Sequence, residues 1–203
     1  FGANNNYIFN YIDQKFNLNA KDYFLILNPD VYMDVAYFNS LVEKTLLLSP
    51  KAFTIDLFKD FDFKIRDPFI RHFPKLSDFI TSFVLGKNNM IIDRQQNEVA
   101  KFDWCAGSFM CFDVNTYRAL KGFDEGYFMY CEDIDICYRA KQLATDILYF
   151  QDIKAVHLAQ HSNRRVFSKH FFWHLKSIAR FLLKFTFPKF SGLIGIRNQS
   201  KIK

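Results

Sequence analysis

Tyr23–Asp30, YFLILNPD, is an uninterrupted apolar run closed by an Asn-Pro-Asp turn. An apolar run of this length stopped by turn residues reads as a buried strand. Asp30 then sits at the carboxyl end of a central strand, where open α/β sheets gather their ligands. Asp34 is placed to cap a helix running through Leu48, and Ala52 to Phe58 reads as a second strand. Arg66 to Gly86 reads as mostly helical, with Ser77 as N-cap and Gly86 as terminator. Phe102 to Phe112 reads as a strand with a glycine break, followed by a short helix from Val114. CEDIDICYRAKQLA, from Cys131, reads as an amphipathic helix with Glu132, Asp133 and Asp135 in its first turn, where the helix dipole favours negative charge. Asp135 and Arg139, four residues apart, form a predicted surface pair. Two short strands, Asp146 to Phe150 and Lys154 to Leu158, complete the pattern, and the alternation predicts an α/β fold.

The composition agrees with a packed chain. Of 203 residues half are hydrophobic, and 26 Phe stand against 7 Gly and 5 Pro, which excludes a disordered polymer. The formal net charge of +6 favours a phosphate-bearing or anionic partner. No nucleic-acid module accompanies it, so nucleic acid is not expected as a partner. Cys105, Cys111, Cys131 and Cys137 fit neither a zinc knuckle nor a disulfide framework and read as reduced, packed thiols. No apolar run approaches the roughly 20 residues that span a bilayer, which predicts a soluble or peripheral protein. There is no repeat or linker. Residues 1–165 are expected to form the α/β catalytic domain, and 166–203 a basic aromatic, membrane-associating C-terminal segment.

Four features could carry chemistry. A carboxylate at Asp30 can hold a hard divalent cation against a pyrophosphate, although a bare turn has the same composition. Asp133, with Glu132 beside it, can take a proton from an attacking hydroxyl, the plainer reading being helix capping. His157, ending its strand, with His161 shortly after, suits a metal beside carboxylates as well as a packed structural role. Arg164 and Arg165 suit bidentate phosphate contacts or a solvated loop. Finally, KHFFWHLKSIARFLLKF places Lys176, Arg180 and Lys184 every four residues amid Phe172, Trp173 and other apolar side chains. That pattern belongs either to an interfacial membrane helix or to a terminal helix packed on the core.

Taken together, FGANNN, LILNPD, FPKLSDFITSFVLG, DWCAGSFM, GFDEGYFMYCEDIDICYRA and HSNRRVFSKHFFWHLKS resemble the family 2 inverting glycosyltransferases of GT-A fold. More narrowly, they resemble the bacterial rhamnosyltransferases of O-antigen assembly. The resemblance implies a Rossmann-like mixed sheet flanked by helices, with a C-terminal amphipathic helix. It implies that Asp30 binds the metal, Mg2+ or Mn2+, and the nucleotide diphosphate, with Asn28 in place of the first acid of the commoner Asp-x-Asp. Asn5, Asn28, Arg164 and Arg165 fall on the donor side. Asp133 matches the catalytic base, Glu132 its neighbour in acceptor handling, His157 a metal ligand, and Trp104 and Gly107 the acceptor-side wall. The implied donor is dTDP-L-rhamnose, and the acceptor an N-acetylglucosamine-type sugar on undecaprenyl diphosphate, at the inner face of the bacterial cytoplasmic membrane. The family opens with a strand and helix for the nucleotide base, which are expected to precede FGANNN, so weak or absent transfer is expected of this segment alone. Two other classes stay open: a non-catalytic membrane-surface module and a metal-dependent phosphohydrolase built from Asp30, Asp133 and His157.

Overall fold

The computed structural model describes residues 1–74, 78, 91, 92, 101–158 and 169–185. Its elements in chain order are α1 (Gly2–Phe16), β1 (Tyr23–Leu27), β2 (Val31–Tyr32), α2 (Val35–Leu48), β3 (Ala52–Phe58), β4 (Ile70–Arg71), β5 (Trp104–Cys105), β6 (Phe109–Asp113), α3 (Val114–Leu120), α4 (Glu132–Gln142), β7 (Leu148–His157) and α5 (Lys169–Phe185). Five strands form a mixed sheet in the order β1-β6-β3-β7-β2, and β4 pairs with β5 beside it. This is the α/β architecture, a mixed sheet flanked by helices, that the sequence predicts.

The sheet is organised around β3, which is buried at every position. Five of its seven side chains are apolar, and the two polar ones are satisfied. Thr54 Oγ1 donates to the Phe109 carbonyl at 2.8 Å, and Arg66 Nε donates to Asp56 at 3.1 Å. A strand without a wet face can carry polar groups only on such terms. β3 runs antiparallel to β6 and parallel to β7. Asp34 caps α2 as expected, its carboxylate accepting from the Ala36 amide at 2.8 Å. On one side α1 packs through Phe9, whose ring lies 5.1 Å from Phe24 and 4.5 Å from Tyr117. Buried Asn6 joins it to α3, accepting from the Tyr117 hydroxyl at 2.9 Å and from the Phe123 amide at 2.8 Å. All four thiols are free and buried, in line with packed, reduced cysteines.

Five expectations are corrected. β1 is an edge strand, not a central one: it pairs with β6 alone among the described residues and alternates, with Leu25 and Leu27 exposed. Residues 66–72 hold β4 rather than helix, because Phe69 and Ile70 are drawn into the core beside β5; most of Ser77–Gly86 lies outside the described residues. The two strands read at the end of the α/β pattern are one, β7, whose pairing with β3 shifts register between Ile55 and Asp56. The Asp135–Arg139 pair, at 2.6 Å, is buried rather than superficial. Finally, Arg180 and Lys184 do not face outward. Lys184 is fully buried and bonds Asp124 at 2.8 Å and Asp135 at 2.5 Å, while Arg180 bonds Asp124 at 2.8 Å. Buried carboxylates draw the cations inward, so the outer face of α5 shows Phe172, Leu175 and Lys176, with Trp173 half-buried.

Leu57→Ala in β3 should lower the unfolding free energy by about 3 kcal/mol, whereas Leu25→Ala on the exposed face of β1 should cost under about 1 kcal/mol. Urea denaturation of the two variants measures the difference.

Candidate active site

β1, β3 and β7 point the same way, so their carboxyl ends share one end of the sheet. Asn28-Pro29-Asp30 leaves β1 there, and His157 closes β7 there. β2 then pairs Val31 with His157, which locks the turn against the histidine. The result is a contact: His157 Nε2 lies 3.5 Å from Asp30 Oδ1 and 3.4 Å from Asn28 Nδ2. The other ring nitrogen, Nδ1, is 2.6 Å from Asp67 Oδ2. The Asp67 hydrogen bond holds the imidazole above its ordinary pKa, burial opposing and the Asp67 and Asp30 charges assisting.

The acid pair arrives from the other direction. Glu132 and Asp133 open α4, behind a loop whose Tyr130 and Cys131 both take left-handed backbone angles. Asp133 is half-buried; its carboxylate accepts from the Ile134 amide at 2.9 Å, and the Gly107 amide lies close enough to favour its charged form. Burial raises its pKa, while those amides and the charge of Arg71 pull the other way. Glu132 is buried, with Oε2 lacking a hydrogen-bond partner among the described residues. Burial, reinforced by the neighbouring Asp133 charge, pushes it up to about 7. A carboxylate that is hard to keep ionised is a better proton acceptor once ionised, as a general base requires.

The two halves meet through two consecutive residues. The Gly107 amide favours the charge of Asp133, and the carbonyl of Ser108 accepts from the Asn28 amide at 3.1 Å. Gly107 is also hard against the Phe1 ring, so a side chain there would collide with it. Asn5 lies one turn on, its amide donating to the Phe1 carbonyl at 3.1 Å. Trp104 is buried in β5 with its indole N–H donating to the His72 carbonyl at 2.9 Å, and the Arg71 guanidinium lies over its ring at 5.3 Å. Asp30, Asn28 and His157 are therefore brought into contact, and Asp133 is tied to them through the Gly107-Ser108 segment. His161, Arg164 and Arg165 lie outside the described residues.

Two residues in this arrangement escape a reading of the sequence. Asp67 and Arg71 both lie in RDPFIRH, which resembles the start of a helix. An Asp-Pro step followed by a short apolar pair is the signal that a turn and strand begin there instead.

Comparison with known proteins adds an independent line. The chain is 41% identical over 189 residues to the rhamnosyltransferase WbbL of Escherichia coli (strain K12), covering 91% of this chain and 70% of that protein. It is 26% identical over 169 residues to the N-acetylglucosaminyl-diphospho-decaprenol L-rhamnosyltransferase of Mycobacterium tuberculosis, covering 79% of this chain and 55% of that protein. No family model matches.

Two titrations check the electrostatics. In metal-free protein the His157 imidazole should titrate above 6.5, and Asp67→Asn should bring it down; NMR of the ring protons reads both. The stability that this raised imidazole contributes is fully present below the unfolded pKa and lost as pH rises through the folded one. For Glu132 the folded pKa is likewise raised, so stability falls as pH climbs from 4.5 towards 7. Glu132→Gln should match the parent near pH 4 and exceed its Tm by on the order of 5 °C at pH 8.

Proposed function

Because the chain belongs to the rhamnosyltransferase family, we propose that it transfers L-rhamnose from dTDP-L-rhamnose, with inversion. The acceptor in this reading is an N-acetylglucosamine-type sugar carried on a polyprenyl diphosphate, such as undecaprenyl diphosphate, in the synthesis of O-antigen or another cell-surface polysaccharide. The observation that supports it most is the link from Asp133 through Gly107 and Ser108 to Asn28, and so to Asp30 and His157. In this reading it relates a proton acceptor and a cation-binding pair through one short segment.

In this reading Asp133 removes the proton from an acceptor hydroxyl while that oxygen bonds to the anomeric carbon and the bond to the nucleoside diphosphate breaks. Attack from the face opposite the leaving group inverts the centre. Glu132, Trp104 and Gly107 are assigned to the acceptor, and Asn5, Asn28, Arg164 and Arg165 to the donor. The donor set at Asp30 and His157 fits a divalent cation. Cis ligands of a six-coordinate Mg2+ or Mn2+ sit about 3 Å apart, given metal–oxygen distances of about 2.1 Å, and the two atoms here are 3.5 Å apart. The Asp67 contact to Nδ1 also supplies the outer carboxylate that orients metal-bound histidines. Among the described residues no three His, Cys, Asp or Glu side chains form a metal cage, so the diphosphate and water would complete the coordination. Such an ion would neutralise charge growing on the leaving diphosphate.

No helix among the described residues is long and apolar enough to cross a membrane. In this reading Phe172, Trp173 and Lys176 on α5, with Phe128 packed 4.8 Å from Trp173, supply an aromatic and basic patch that meets the lipid-linked acceptor at the inner face of the cytoplasmic membrane.

Full-length protein incubated with dTDP-rhamnose and a polyprenyl-diphosphate N-acetylglucosamine should yield a disaccharide of inverted anomeric configuration, read by NMR. UDP- and GDP-sugars should not replace the donor. Asp133→Asn should lower kcat by about 10²–10⁴ while dTDP binding, measured by calorimetry, stays within twofold. Unchanged turnover in that variant would remove Asp133 as the base. Because protonated His157 cannot ligate, the activating Mn2+ concentration should rise as pH falls through its raised pKa.

A further inference from the structure

Resting on that assignment of Asp133, we propose that α5 is a clamp on the loop that delivers the acid pair, and that Ser177, Arg180 and Lys184 are positioning residues for Asp133. The loop between α3 and α4 is gripped along its length by one helix. Trp173 packs on Phe128, and the His174 ring lies 5.0 Å from Tyr130. Ser177 Oγ donates to the Met129 carbonyl at 2.7 Å. Arg180 bonds both oxygens of Asp124, at 2.8 and 3.0 Å, and lies over the Tyr127 ring at 5.2 Å. Lys184 joins Asp124, at the loop's start, to Asp135 in the first turn of α4, two residues beyond Asp133.

These contacts matter because the loop would not hold its shape unaided. Tyr130 and Cys131 sit at φ 71° and 63°, a region that residues with a Cβ enter only at a cost. Cys131, the N-cap of α4, makes no side-chain cap bond among the described residues either. This bent entry leads directly into the turn that carries Asp133. Gly126 completes the fit, since a Cβ there would overlap the Arg180 guanidinium.

The Gly107 amide is the probe, because it is the group of the neighbouring segment that interacts with the Asp133 carboxylate. In the full-length protein, Arg180→Met, Ser177→Ala and Gly126→Ala should each raise hydrogen exchange at Gly107 at least tenfold, while β3 amides stay within twofold. Gly126→Ala perturbs the contact from the loop side with a residue the helix does not carry, so it separates the clamp from damage to α5 itself. The same variants should lower kcat at least tenfold with the donor KM within twofold, and Arg180→Lys should restore most of both signals. Unchanged Gly107 exchange in all three variants, or a lost donor KM with kcat intact, would overturn the clamp. If the parent protein transfers no sugar, the transferase reading fails, and Gly107 exchange still decides whether α5 holds Asp133 in place.

Discussion

The seven residues of β3 leave no face to solvent, so strands must flank both edges and covering elements must close both sides. With β7 parallel on one edge and β6 antiparallel on the other, the carboxyl ends of β1, β3 and β7 are forced to one end of the sheet, where β6 begins. That single geometric consequence gathers Asp30, His157 and the Gly107-Ser108 segment, which are far apart along the chain. The site is a by-product of strand direction before it is a matter of side chains. Asp67 then fixes the imidazole, and the amide of Ile134 holds Asp133.

The strands and helices with strong local signals were legible in the sequence. Asp34 and the apolar periodicity behind it marked α2, and the dense apolar run of Ala52 to Phe58 marked β3. Where the reading failed, tertiary partners decided. Apolar content made Tyr23–Leu27 resemble an interior strand, yet its alternate leucines face outward because α1 covers only one side. RDPFIRH followed its neighbours in β5 rather than its own helical preference. Asp67 was invisible as a site residue because its importance comes from His157, at a distance of 90 positions in the chain.

α5 shows the same limit in another form. Basic residues recurring every four positions normally mark a wet or lipid-facing stripe. Here the stripe is partly turned inward, because Asp124 and Asp135 are already buried and each needs a cation. Burial by itself opposes ionisation of Asp124, but the Lys184 hydrogen bond and charge, aided by Arg180, hold its pKa below the usual range. An unpaired member of this cluster would be far more expensive than the pair is valuable, so its worth lies in fixing one arrangement rather than in net stability.

The consecutive left-handed residues before α4 carry one more implication. Glycine at 130 or 131 would enter that region freely and relieve the backbone, yet neither position has it. A β-carbon narrows the conformations open to the unfolded chain and to the loop when it is not held, so the distortion buys definition. A chain with glycine there would trade a tense, single-valued hinge for a slack one, and its acid pair would wander even with every neighbour intact.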